Sequence, residues 1–117
     1  MNTKHFKESE FACNHCGETM LNGELMAALE LVRHYFNQPV TITSSYRCPT
    51  HNTNVGGAKN SKHLAGIAAD IQVKNTEPKV VADFLESVFP ESYGIGRYST
   101  FTHIDVRAKK ARWGSNQ

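Results

Sequence analysis

Apolar residues recur every three or four positions in two stretches of the chain, which predicts two amphipathic helices. In the first stretch, residues 22–36, Asn22 stands at the cap position and Pro39 follows the end. The apolar stripe of this helix consists of Leu25, Leu29, Val32 and Phe36. The second helix is expected over residues 76–89, with Thr76 as its cap.

Strict alternation of apolar and polar residues predicts the strands. The first two are expected at residues 40–44 and 67–73, and two closing strands within 93–98 and 100–108. Residues 45–62 between the first two strands are polar, and such a long loop in a small domain is typical of a functional segment. Helices and strands mixed in this order predict a small α+β domain with a largely antiparallel sheet flanked by helices.

Size and composition favour a single compact domain. The 117 residues suffice for one hydrophobic core, so we expect one domain over 1–117, with an N-terminal Cys-x2-Cys segment at 1–22 and a solvated tail at 108–117. The formal charge of +2 gives no argument for a nucleic-acid partner. No apolar run reaches the roughly 20 residues of a membrane span. The start, MNTKHFKESEF, has no apolar signal segment, so synthesis in the cytoplasm without a Sec signal is expected. The protein is expected to be a monomer.

A histidine and an aspartate, His63 and Asp70, stand seven positions apart in the stretch SKHLAGIAAD. On one straight strand their side chains would lie on opposite faces roughly 23 Å apart. On a helix they would stand about 10 Å apart along the axis. The two side chains therefore share an ion only if the chain turns at residues 64–66, where Gly66 allows a tight turn.

A third ligand is available on the strand FTHIDV. Its Ile104 and Val106 face the core, which directs His103 and Asp105 to the open face. Two imidazoles and one carboxylate, with a fourth position left to water, form a catalytic type of zinc site. Asp105 could then orient a ligand, hold the water or act as a base. Spacing alone leaves open the alternative that the first pair belongs to a polar loop running into an ordinary strand.

Whole segments of the chain resemble a known family. The stretches TITSSYRCPTHNTNVGGAKNSKHLAGIAADI and YGIGRYSTFTHIDVR closely resemble the M15 metallopeptidases, specifically their subfamily A, the zinc D-Ala-D-Ala carboxypeptidase C-terminal type. The resemblance runs from HFKESEF to DVR, and its motifs are a serine-rich strand into Tyr-Arg, then S-x-H-x6-D, then a distal H-x-D. It implies the hedgehog/lysostaphin-type zinc peptidase fold.

The resemblance also implies roles for individual residues. The positions that match the family's Zn²⁺ ligands are His63, Asp70 and His103. Arg47 matches the arginine that stabilises the developing oxyanion or contacts the substrate carboxylate, a role that suits a guanidinium. Ser61 matches the family serine two residues before the first ligand, and it is expected to contact substrate, the alternative being a serine that forms a turn. Tyr98 is expected to donate a hydrogen bond to the tetrahedral intermediate, the alternative being a packing tyrosine.

The general base departs from the family pattern. Relatives place a glutamate three residues before the last ligand or a histidine two residues before it, and here those positions are Thr100 and Phe101. By elimination, Asp105 is assigned as the catalytic base. The missing glutamate keeps a second interpretation open, a catalytically silent cell-wall-binding module that retains the zinc fold.

A second group of metal-binding residue types lies outside this motif. Cys13-x2-Cys16 and Cys48-x2-His51 have the spacing of a structural Cys3His zinc site, which is the second zinc that the sequence predicts. The alternatives are buried or idle thiols and a substrate-facing His51. Three cysteines cannot all pair within the chain, which argues against a disulfide-stapled fold.

These observations predict a zinc metallopeptidase that hydrolyses peptide bonds in peptidoglycan stem peptides or cross-links. The bond that is cut, terminal D-Ala-D-Ala or an internal cross-link, stays open. The expected partner is the peptidoglycan peptide, with no nucleic acid and no membrane. Without an export signal, action on the cell wall is expected through holin release as a phage endolysin or as a virion component.

Overall fold

The computed structural model of the chain describes residues 4–13, 22–45 and 67–114. Its elements are, in chain order, a 3-10 helix at Glu8–Phe11, α1 at Gly23–Phe36, β1 at Val40–Ser44, β2 at Ala68–Val73, α2 at Pro78–Val88, β3 at Gly94–Arg97, β4 at Thr102–Asp105 and β5 at Ala111–Gly114. The predicted α+β class is confirmed. In the described ranges, no helix has the length and apolar character needed to cross a membrane.

Helix α1 begins where the sequence predicts. The Asn22 side chain accepts a hydrogen bond from the backbone N–H of Leu25 at 3.0 Å, which satisfies one of the donors left open at a helix start. The helix ends at Phe36, and its C-cap residue, Asn37, has a φ of 51° in the left-handed region. The predicted stripe is also confirmed, since Leu25, Leu29 and Val32 are buried and Phe36 is partly buried against the core.

Helix α2 begins later than predicted, and the assignment of Thr76 as its cap is wrong. The N-cap residue is Glu77, whose side chain makes no capping hydrogen bond, and Pro78 is the first helical residue. Proline suits that position because it lacks an N–H and has a fixed φ. Thr76 instead donates its hydroxyl to the Lys74 carbonyl at 3.2 Å, within the turn that follows β2.

The five strands form one sheet in the order β1-β2-β4-β3-β5. All neighbours are antiparallel except β3 and β5, which are parallel. The expectation of a solvated tail at 108–117 is therefore wrong for Ala111–Gly114, which forms the edge strand β5. The unpaired backbone groups along β3 provide the physical reason, since a polar segment pairs as well as an apolar one through its main chain.

The hydrophobic core lies between the two helices and one face of the sheet. Its largest buried side chains come from both layers and from the N-terminal segment: Phe6, Phe11, Leu25, Met26, Leu29, Ile71, Leu85, Ile95 and Ile104. Burying one such side chain stabilises a fold by roughly 1.5–3 kcal/mol. Because alternate residues of a strand point to opposite faces, the residues between the core positions of β2, β3 and β4 lie on the other face of the sheet.

Candidate functional site

One row of residues crosses the face of the sheet that lies away from the helices. Asp70 of β2 pairs with His103 of β4, His103 pairs with Gly96 of β3, and Gly96 pairs with Trp113 of β5. Directly paired residues on adjacent strands point to the same face. We call this surface the site face, and its side chains are those of Asp70, Tyr98, Phe101, His103, Asp105 and Trp113.

His103 lies between two carboxylates. Its Nδ1 is 2.9 Å from Oδ1 of Asp70 and its Nε2 is 2.8 Å from Oδ2 of Asp105. His103 is 7% exposed and Asp70 is 8% exposed. Burial alone would lower the pKa of His103, but the hydrogen bonds to Asp105 and Asp70 outweigh it and raise that pKa.

Asp105 is buried, with no exposed surface, whereas the sequence placed it on an open face. Arg107 forks onto it: Nε donates to Oδ1 and a terminal amino group donates to Oδ2, both at 2.7 Å. The backbone N–H of Arg107 also donates to Oδ1 at 3.2 Å. Burial would raise the pKa of Asp105, but the hydrogen bonds from His103 and Arg107 hold it well below its usual range. The open-face expectation failed because a charged neighbour allows this carboxylate to be buried.

Two glycines of β3 leave the space that these side chains occupy. A Cβ added at Gly94 would lie 2.6 Å from Oδ1 of Asp105. A Cβ added at Gly96 would lie 2.6 Å from Cε2 of the Trp113 indole. Both separations are shorter than real Cβ contacts, so the bare backbone of β3 is what admits the carboxylate and the indole.

Aromatic side chains border His103 on the site face. The Trp113 ring centroid is 5.0 Å from that of His103, and its Nε1–H donates to the Tyr98 hydroxyl oxygen at 2.9 Å. Tyr98 stacks on Phe101 with centroids 4.4 Å apart. Since the indole N–H occupies an acceptor site of the hydroxyl, the Tyr98 O–H remains a donor. The hydroxyl group could thus serve a ligand on this face, and Tyr98 is 38% exposed.

The structure brings together four of the side chains that the sequence singled out, Asp70, Tyr98, His103 and Asp105. The predicted ligand His63 and the predicted substrate contacts Arg47 and Ser61 lie outside the described residues. Among residues 4–13, 22–45 and 67–114, there is no group of three or more His, Cys, Asp or Glu side chains that could hold a metal ion.

The predicted structural zinc site is described only at Cys13, which is buried. Its three other predicted ligands, Cys16, Cys48 and His51, lie outside the described residues. The second zinc therefore stays a prediction.

Sequence reasoning missed two residues of the site, Arg107 and Trp113. A signal for Arg107 was present, because His103, Asp105 and Arg107 stand at alternate positions and alternate positions of a strand share a face. Trp113 is the chain's only tryptophan and lies in a polar segment, which was the available hint that this segment is not solvated.

The donors that converge here fit a divalent metal such as zinc. A carboxylate oxygen and an imidazole nitrogen are zinc ligands, and Asp70 and His103 present one of each side by side. Metal-binding histidines usually have their other ring nitrogen held by a carboxylate, which is the relation of His103 Nε2 to Asp105. This chemistry matches the two described members of the predicted ligand set.

Comparison with known proteins identifies the family of the chain. The chain belongs to the Peptidase M15 family, whose model matches residues 4–105. It is also similar to the zinc D-Ala-D-Ala carboxypeptidase of Streptomyces albus G, with 35% identity over 71 residues, covering 50% of this chain and 28% of that protein. The match thus spans little more than a quarter of the relative's length. The family resemblance predicted from the motifs is confirmed.

Proposed function

We propose that the protein is a zinc-dependent peptidase that hydrolyses peptide bonds next to D-alanine in peptidoglycan peptides. The observation that carries the proposal is the convergence of Asp70 and His103 on neighbouring strands, at 2.9 Å, in a chain of the M15 family. The similarity to a zinc D-Ala-D-Ala carboxypeptidase supports the substrate class.

In this proposal His63, Asp70 and His103 hold the metal. When bound, zinc supplies a Lewis acid that polarises a scissile carbonyl and lowers the pKa of a bound water. Asp70 and His103 lie on strands of the sheet rather than on loops, so their donor atoms are held by backbone pairing as well as by their own contacts.

Three further residues are assigned to the substrate. Arg47 binds the terminal carboxylate or steadies the oxyanion, because a guanidinium stays charged and forks onto two oxygens. Ser61 contacts the peptide backbone. Tyr98 donates its hydroxyl to a substrate oxygen, and the hydrogen bond from Trp113 supports this role by fixing the phenol with its own O–H available.

For Asp105 the contacts favour one of the three roles that the sequence left open, the orientation of a ligand. Both of its carboxyl oxygens are occupied by His103 and Arg107, and it has no exposed surface from which to reach water. Its role as general base stays a prediction that the geometry does not favour.

A second candidate function is a silent cell-wall-binding module that keeps the zinc fold. The observation that favours it is the engagement of Asp105 together with Thr100 at the position where relatives have a glutamate. Such a module would bind sacculi and release nothing from them.

The test is mass spectrometry of the products released from purified sacculi. The parent protein is expected to release soluble products, either free D-alanine or muropeptides, and the released species identifies a carboxypeptidase or an endopeptidase. Asp70→Asn should abolish release because it removes a charged ligand. The matched control is Asp83→Asn, since Asp83 lies on α2 and pairs with Arg97 away from the site face. Binding of the parent to sacculi without any release would establish the silent module instead.

A further inference from the structure

We propose that Arg107 and Asp105 are positioning residues that act through Nε2 of His103 to present its Nδ1 to a divalent metal. The inference rests on the proposed metal centre, and we call Asp105 and Arg107 its supporting layer. Neither residue touches the metal in this assignment. Arg107 acts through Asp105, and Asp105 acts through His103.

The carboxylate of Asp105 is fixed at both oxygens. Arg107 donates from Nε to Oδ1 and from its terminal amino group to Oδ2 at 2.7 Å each, and its backbone N–H adds a third contact to Oδ1. A bidentate guanidinium–carboxylate pair fixes the plane of the carboxylate as well as its position. Asp105 therefore has one orientation in which Oδ2 meets His103.

That orientation determines which nitrogen of His103 can bind a metal. Both ring nitrogens face a carboxylate, Nε2 that of Asp105 at 2.8 Å and Nδ1 that of Asp70 at 2.9 Å. Asp105 is wholly buried and fixed by Arg107, so it keeps its hydrogen bond from Nε2 when the ring is neutral. Nδ1, which faces the other ligand Asp70, is then the nitrogen that gives up its hydrogen to bind the metal. The supporting layer thus selects the tautomer that points at the other ligand.

Asp105 is stabilised by Arg107, and Arg107 is in turn contacted by Trp113. Asp105 is wholly buried, and a buried carboxylate without a partner is strongly destabilising, so it requires the charge of Arg107. The guanidinium carbon of Arg107 lies 5.2 Å from the centroid of the Trp113 ring, which gives the cation a second fixed contact. Gly94 completes the arrangement by leaving room for the carboxylate.

The chain contains a matched arginine on the opposite face of the sheet. Arg97 also contacts carboxylates, those of Asp83 and Glu86 on α2, at 2.6 and 2.7 Å. It stands in β3, paired with Thr102, and touches no residue of the proposed centre among those that the structure describes. Loss of the Arg107–Asp105 pair, which contacts His103, can therefore be compared with loss of the Arg97 pairs, which do not.

The experiment measures Zn²⁺ affinity by competition with a chromophoric chelator, and the melting temperature without metal. We expect Asp105→Asn and Arg107→Gln to weaken Zn²⁺ binding by about 10–100-fold. Arg107→Lys should recover part of the loss, because it restores the charge without the fork. Arg97→Gln should lower the melting temperature but leave the Zn²⁺ affinity unchanged. Arg107→Lys keeps a cation beside the buried Asp105 carboxylate, so it tests the inference even where Asp105→Asn or Arg107→Gln fails to fold.

A second readout is the pair of ¹⁵N chemical shifts of His103 in the zinc-loaded parent. A protonated Nε2 and a metal-bound Nδ1 are expected, and a metal-bound Nε2 would overturn the inference. Tight Zn²⁺ binding by the parent with unchanged affinity in Asp105→Asn and Arg107→Gln would overturn it too, while leaving the proposed function intact. A parent protein that binds no Zn²⁺ would refute the proposed metal centre, and its supporting layer with it.

Discussion

Replacing Gly94 with alanine adds one methyl group where β3 passes the Asp105 carboxylate. The new Cβ would lie 2.6 Å from Oδ1 and 2.7 Å from Cγ of Asp105, and real Cβ atoms essentially never come closer than 3.0 Å to another atom. Relief by movement of the carboxylate is blocked because Arg107 and His103 hold both of its oxygens. The methyl group must therefore break part of this network or push β3 away from β4.

The magnitude follows from these two routes. Overpacking of a tightly filled interior costs about 1–3 kcal/mol. Loss of one hydrogen bond to a charged group costs about 1.5–3 kcal/mol. Since the chain relaxes by the cheaper mixture of the two, we expect the free energy of unfolding to fall by about 2 kcal/mol. For a chain of 117 residues, about 4 °C per kcal/mol gives a melting temperature roughly 8 °C lower.

Thermal unfolding followed by circular dichroism measures this shift, and Gly23→Ala is the matched control. A Cβ added at Gly23, the first residue of α1, meets nothing within 4 Å. Alanine there restricts the unfolded chain without a clash, so stability should rise by up to about 1 kcal/mol. A Gly94→Ala variant that melts within about 2 °C of the parent would refute the placement of the Asp105 carboxylate against β3.

Three further predictions follow from the caps, the aromatic pair and the metal. Asn22→Ala should lose about 1 kcal/mol in urea unfolding because a helix cap is removed, whereas Glu77→Ala, which removes no capping hydrogen bond, should change little. Trp113→Phe and Tyr98→Phe should each slow the rate at which soluble products appear from sacculi, and the double variant should be no slower than Tyr98→Phe alone. Additive losses of rate would show that the indole N–H does not act through the phenol. Treatment with a chelator should abolish release and added Zn²⁺ should restore it, so full activity in metal-free protein would contradict the proposed chemistry.

The starts of the two helices differ in how well the local sequence predicts them. The start of α1 was predictable because Asn22 and the stripe beginning at Leu25 are signals within one turn of each other. The start of α2 was not, since Thr76 is a good cap by composition but Pro78 fixes the first helical residue beyond its reach.

Strand β5 shows what local pattern cannot reach. Residues 108–117 are polar and basic, so their composition favours a solvated tail. They nevertheless supply a strand at Ala111–Gly114, because the main chain pairs with β3 whatever the side chains are. The neighbour that makes this possible is Gly96, whose bare backbone admits the Trp113 indole. The fit of Trp113 against Gly96 joins two distant parts of the sequence, so it cannot be predicted from the residues of either segment alone.

The candidate site was predictable in part for the same reason. Alternation along β4 placed His103 and Asp105 on one face, which is what the structure shows. The approach of Asp70 to His103 depends on the register between β2 and β4, a non-local property that spacing does not determine. Whether that face is open or covered depended on Arg107 and on Gly94, which lie outside the short H-x-D motif.

The engagement of Asp105 bears directly on the proton acceptor of the proposed reaction. A general base works best when its pKa lies near the operating pH. Burial would raise the pKa of Asp105, but the hydrogen bonds from His103 and Arg107 overcome that effect and hold this pKa well below its usual range, so the carboxylate is a weak base at neutral pH. Protonating it would also break the fork from Arg107 and release Nε2 of His103. The same contacts that disfavour Asp105 as a proton acceptor favour it as a support for His103, so its role as general base stays a prediction.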